Sequence, residues 1–187
     1  MHAAIVRQAG QTAPAYAEFP DPVAAAGESR ITVTAAAITP VARSRAAGTH
    51  YSASGAFPFV AGVDGVGRRD DGSRVFFAMP RAPFGSMAEQ TVAPSALCVP
   101  LPAGLDDVTA AAIANPGMSS WAAYEQRAKL APGETVLVNG ATGAAGRLAV
   151  QIARYRGARR IIATGRDPEA LRDVAALGAD VTIPLGA

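Results

Sequence analysis

The sequence predicts an α/β fold: a β-rich amino-terminal domain of barrel type, followed by the opening of a doubly wound parallel sheet. Three observations predict it. Up to about residue 100, short β-branched runs are broken by Gly, Pro and Ser; an alanine-rich helical stretch follows; from Thr135, strand and helix alternate around a glycine turn. A chain of 187 residues allows one large domain or two small ones, with enough length to bury a core. The expected division is residues 1–125 and 126–187.

The elements follow in order. "MHAAIVRQAG" reads as a first strand, "RITVTAAAI" (30–38) as a β-branched strand, "FPFVAGVDGVGR" (57–68) as strand interrupted by glycine, and "SRVFFAM" (73–79) as another strand. "GSMAEQTVAPSALCVPLP" (85–102) predicts a pair of short strands with a proline stop. Asp106 or Asp107 can cap an alanine-rich helix, Pro116-Gly117 is expected to break it, and Ser119 or Ser120 to start the next. Beyond the "APGE" turn come "TVLVNGA", a helix over 143–157, "RIIATG" (160–165), a helix opened by Asp167-Pro168, and "DVTIPL" (180–185). Leu148, Ile152 and Tyr155 give the first of these helices an apolar stripe. The strands read as apolar on both faces, as under helices that cover a parallel sheet.

Composition narrows the function classes. Half the residues are hydrophobic and 17% are charged, and no apolar run approaches the ~20 residues of a membrane span. The start lacks the long apolar core of a signal peptide. The lone Cys98 excludes an internal disulfide and a multi-cysteine zinc site, which fits a reducing cytoplasm. Net charge is +2, with Lys129 the single lysine among 17 basic residues. The densest basic cluster, "ARYRGARR" (153–160), falls where a helix should end and complements its dipole, so no nucleic-acid surface is expected.

The stretch "TVLVNGATGAAGRLAVQIARYRG" (135–157) carries the strongest chemical signal. Gly140, Gly143 and Gly146 punctuate a strand-to-helix turn, with Ala141, Thr142, Ala144 and Ala145 between them. Small residues there permit a tight turn, approach of the backbone to a pyrophosphate, and close helix packing. The unpaired N–H groups and the dipole of the helix then attract the anion. The frame is GxxGxxG, and its setting between a strand and a helix is what points to a dinucleotide. At the end of the second strand, Gly165 and Arg166 stand where NAD-binding proteins place an acidic residue. A small residue followed by a guanidinium suits a 2′-phosphate, so NADPH is expected over NADH. The alternative for Arg166 is plain surface charge; Asp167 reads as a helix cap before Pro168.

With these residues in view the chain resembles the zinc-independent quinone oxidoreductases of the medium-chain dehydrogenase/reductase superfamily. The resemblance is carried by "AAAITPVARSRAAG" (35–48), "FPFVAGVDGVG" (57–67), "GSMAEQTV" (85–92), "NPGMSSWAAY" (115–124), "VNGATGAAGRLAVQIAR" (138–154) and "GADVTIPL" (178–185). It implies a GroES-like β-rich domain followed by the first three strands of a Rossmann domain. Zinc-dependent members carry a Cys in the first segment and Gly-His-Glu in the second. Here Thr39-Pro40 and Gly62-Val63-Asp64 stand in those places, so no metal site is expected.

The resemblance also implies the chemistry, hydride transfer from a nicotinamide to a quinone or enone, with a hydroxyl or water serving the oxyanion. Tyr51 and Thr39 are the catalytic candidates, against readings as a surface tyrosine and a strand threonine. Ser119 matches a small hydroxyl residue near the cofactor in related proteins, or is a helix cap. Asp64 is expected to be structural, and His50 an ordinary loop histidine. Family members are about twice as long and commonly dimeric, so a homodimer is expected. With only three Rossmann strands, "TVLVNG" should be an open apolar edge. The competing expectation is a chain that binds nucleotide or a partner without catalysis.

Overall fold

The computed structural model describes residues 1–11, 13–52 and 55–186. The chain divides into two compact units, Met1–Ala112 and Ile113–Ala187.

In the first unit, β1 (His2–Val6), β2 (Ala15–Glu18), β3 (Glu28–Ala35), α1 (Pro40–Ala46), β4 (Phe59–Val60), β5 (Asp64–Arg69), β6 (Arg74–Ala78), β7 (Gln90–Pro94) and β8 (Cys98–Pro100) succeed one another. They form two antiparallel sheets, ordered β2-β1-β4 and β7-β3-β5-β6-β8. Alternation makes β3 a strand with one buried face: Ser29 and Ile31 are buried while Arg30 and Thr32 are exposed. Ile31 packs with Phe77 and Ala93, and Ala3 and Ile5 pack with Val60. The expected pairing within 85–102 does not occur. β7 pairs with β3 and β8 pairs with β6, at opposite edges of the larger sheet. The short helical turn Ser95–Leu97 between them turns the chain away from a hairpin.

Helix α2 runs from Asp107 to Ala122. Asp106 caps it, accepting from the Thr109 N–H at 2.9 Å. Asp107 accepts from the Thr34 hydroxyl at 2.6 Å and from the Arg74 guanidinium, which also donates to the Leu105 carbonyl. Ala110 and Ala111 bury against Val66. The expected break at Pro116-Gly117 is not there: Pro116 lies inside α2, and a wider π-type turn, Ala123–Ala128, prolongs the helical run. A mid-helix proline costs about 3 kcal/mol. Here Ala110 and Ala111 are anchored in one core, and Tyr124 packs against another, so packing holds the helix on both sides of the proline. The division between units falls within α2, and the sequence-expected boundary lies farther along the same helical run.

The second unit contains β9 (Thr135–Val138), α3 (Ala144–Tyr155), β10 (Arg160–Gly165), α4 (Pro168–Ala176) and β11 (Val181–Pro184). Its parallel sheet is ordered β11-β10-β9, so the three strands stand side by side in reverse chain order, as the opening of a doubly wound sheet does. Val136, Val138, Ile161 and Ala163 form a core with Ala149, Val150, Ala153 and Val174. The helix face toward the sheet is therefore the alanine-valine face, which lets α3 lie close to the strands. Leu148, Ile152 and Tyr155 point elsewhere: Leu148 and Ile152 line a groove with Trp121, and the Tyr155 ring lies tilted against that of Trp121 at 5.9 Å. The sheet is also not covered on both faces among the described residues, since Leu137 on edge strand β9 is 63% exposed.

Arg154 ties α3 to Asp180 at 2.7 Å, and Arg156 pairs with Glu125 at 2.6 Å. These two members of the basic cluster fasten the end of the helix. Among the described residues no helix is long and apolar enough to cross a membrane.

Candidate functional site

In the second unit the chain leaves β9 at Asn139 and reverses through Gly140, which takes a left-handed φ of +74°. Ala141 is fully buried, and its N–H donates to the Thr164 carbonyl at 2.8 Å. Thr164 also donates through its hydroxyl to Asn139 Oδ1 at 2.6 Å, which fastens the turn to β10. Arg147 donates to the Thr142 carbonyl at 3.1 Å and pairs with Asp173 at 3.0 Å.

Gly143 is the N-cap of α3, and no side chain caps this helix. Space is open where side chains would project from Gly140 and Gly143, whereas a Cβ on Gly146 would stand 2.5 Å from the Gly140 carbonyl oxygen. The two roles are thus separated: Gly140 and Gly143 leave the surface bare, and Gly146 lets helix and turn touch. Exposed Ala144 and Ala145 open the helix. An exposed helix terminus with unmet N–H donors and small neighbours fits a diphosphate.

The other expected coenzyme residues fall beside this turn, with one exception. Gly165 ends β10 under Thr142, and Arg166 follows it on the surface. The space that a side chain on Gly165 would occupy is filled by Thr142, so the smallness of Gly165 serves packing first. Asp167 caps α4, accepting from the N–H groups of Glu169 at 2.9 Å and Ala170 at 3.2 Å. Its carboxylate is committed there. Ser119 starts no helix; it lies exposed within α2, because the helix passes Pro116 unbroken. Its neighbour Ser120 reaches the turn instead, donating to the Ala145 carbonyl at 3.3 Å. Sequence reasoning passed over Ser120, Asn139 and Arg147 as supports of the turn. Only the position of Asn139 beside the first glycine hinted at its part.

In the first unit Thr39 is the N-cap of α1, its hydroxyl accepting from the Ala42 N–H at 3.2 Å. It is a cap, not a strand threonine. Tyr51 is 95% exposed, with its ring 4.3 Å from that of His50. His50 accepts at Nδ1 from the Ser52 N–H at 3.2 Å. Asp64 is buried in β5.

A cavity of about 150 Å³ lies next to α1, walled by Phe57, Phe59, Phe84, Val63, Ala42 and Arg45. Thr39 and Tyr51 do not line it. Among the described residues no three His, Cys, Asp or Glu side chains converge as metal ligands.

Comparisons with known proteins agree with this architecture. No protein-family model matches the chain. A probable NADPH-dependent quinone reductase of Emericella nidulans is 33% identical over 213 residues, covering 97% of this chain and 60% of that protein. A trans-enoyl reductase of Aspergillus terreus is 35% identical over 74 residues, 40% of this chain and 21% of its own. The quinone oxidoreductase of Thermus thermophilus, solved also in complex with NADPH, superposes with a TM-score of 0.87 at 32% identity. That likeness covers 97% of this chain and 59% of that one.

Fold and turn together define a medium-chain dehydrogenase/reductase. The chain corresponds, along nearly all its length, to the amino-terminal part of that superfamily's quinone oxidoreductases, and spans about three-fifths of the Emericella and Thermus proteins.

Proposed function

We propose that the chain provides the coenzyme turn and the acceptor cavity of an NADPH-dependent oxidoreductase acting on a quinone or another conjugated carbonyl, without zinc. The observation that carries this reading is the turn from Asn139 to Gly146, bare on its surface and ending in a helix without a side-chain cap. Amides at such a terminus donate to a diphosphate, and the helix dipole adds to the attraction. Arg166, exposed at the end of β10, is assigned to the 2′-phosphate, which a guanidinium grips with two parallel hydrogen bonds. The names of the Emericella and Thermus relatives support the same coenzyme.

NADPH, when bound, supplies the hydride. The chain's own share is to hold the partners, exclude water and deliver one proton. Phe57, Phe59 and Phe84 offer flat apolar walls to a flat acceptor. Hydride and one proton together turn a quinone into its hydroquinone. The Thr39 hydroxyl accepts from Ala42 and keeps its own proton to give, and Tyr51 is exposed; neither lines the cavity, so these hydroxyls are assigned to deliver the proton by way of water. A conjugated acceptor spreads the developing charge, so hydrogen bonds can serve where a simple ketone would need a Lewis acid.

The test is steady-state NADPH oxidation by the full chain with 1,4-naphthoquinone, alongside NADPH binding by calorimetry. Expected are binding that favours NADPH over NADH and turnover indifferent to a chelator. Binding without turnover would select the non-catalytic alternative. Loss of activity to chelator would overturn the zinc-free reading, and absence of NADPH binding would overturn the whole.

A further inference from the structure

The cavity beside α1 holds a charge that its walls do not answer. Ala42 and Arg45, three residues apart, lie on one face of α1 and both line it. The remaining walls are uncharged, built from Phe57, Phe59, Phe84, Val63 and small or proline residues. Arg45 is half-buried, and its guanidinium makes no hydrogen bond or ion pair with any described residue. Arg81, between the lining residues Pro80 and Ala82, is answered instead: it pairs with Glu28 at 2.7 Å and donates to the Val23 carbonyl at 2.9 Å. A cation held among aromatic walls without a carboxylate lacks the counter-charge that partial burial makes valuable.

We propose that Arg45 selects acceptors carrying an anionic substituent on a flat conjugated ring: a carboxylate, a sulfonate or an ionised ring hydroxyl. The proposal rests on the acceptor reading of the cavity. The ring lies against Phe57, Phe59 and Phe84, and the substituent meets the guanidinium. A planar fork of N–H donors matches two oxygens of a carboxylate or sulfonate, which an ammonium does not. Arg45 is therefore a specificity-determining residue, separate from the hydroxyls assigned to proton delivery.

Calorimetric titration of the full chain with 1,4-naphthoquinone-2-sulfonate and with neutral 1,4-naphthoquinone tests this. The sulfonate is expected to bind about tenfold tighter, a difference of one order in Kd. Arg45→Met, which keeps the aliphatic reach of the side chain, should erase that preference, so that the two compounds bind alike; Arg45→Lys should restore only part of it. Because a variant can fail to fold, the wild-type chain is also titrated at low and high salt. There the sulfonate should weaken and the neutral ring should not. Equal affinities in the wild type, or a preference that survives Arg45→Met, would overturn the role of Arg45 and leave the acceptor reading standing. Binding of neither compound would overturn both.

Discussion

Thr142 fills the place of a side chain at Gly165: its Cγ2 lies 2.6 Å from where a Cβ on that glycine would be. The contact joins the glycine turn to the end of β10, so the two halves of the candidate coenzyme site are packed as one piece.

Gly165→Ala is therefore expected to destabilise the chain by about 1–3 kcal/mol, the usual range for overpacking a tight site. Thr142→Ser removes the methyl that collides. The double variant should recover most of the loss, and a double-mutant cycle in urea would measure the coupling. Additive effects would mean that the contact is not the reason for glycine at 165.

Arg166→Ala should weaken NADPH by about tenfold or more and leave NADH nearly unchanged, as expected for loss of a bidentate phosphate contact. Paired Kd measurements with the two coenzymes decide it. Equal losses would remove Arg166 from the 2′-phosphate.

Thr39 has a structural duty apart from any chemical one. Thr39→Ala should cost about 1 kcal/mol through loss of the α1 cap, whereas Thr39→Ser should be nearly neutral in stability. If the hydroxyl also delivers a proton, Thr39→Ser keeps turnover and Thr39→Ala lowers kcat more than KM.

The carboxyl of Asp107 is held below the ordinary carboxylate range, first by the Thr34 hydroxyl and then by the Arg74 guanidinium. A depressed folded value means that this contribution is complete above the unfolded value near 3.8 and is lost as pH falls through the folded one. Urea stability should therefore drop below about pH 4. Asp107→Asn should flatten part of that drop and cost about 1–2 kcal/mol at neutral pH, the scale of a hydrogen bond to a charged group. Asp180 is shifted in the same direction, first by the Ile161 N–H and then by Arg154, so the flattening is partial.

Much of the fold is local enough to be read from the chain. β10 falls where "RIIATG" predicts it and α3 within the predicted helix, because strand alternation and the glycine-to-helix transition are set by neighbouring residues. The coenzyme turn was legible for the same reason: Gly140 needs its left-handed backbone, and Gly146 sits at the spacing that brings it under Gly140.

What failed were inferences that needed a partner. Pro116 looked like a break because propensity counts the lost hydrogen bond and not the packing on either side. Leu148, Ile152 and Tyr155 looked like the buried stripe because hydrophobicity does not reveal which face a sheet will choose. The sequence by itself determined the order of elements from Thr135 onward and the bare glycine turn, since both rest on backbone sterics and short-range periodicity. Only the tertiary structure decided that Ser120 rather than Ser119 reaches the turn, that Thr142 closes over Gly165, and that Arg45 faces an aromatic cavity. Each of those depends on side chains far apart in the chain meeting at packing distance, which no local pattern encodes.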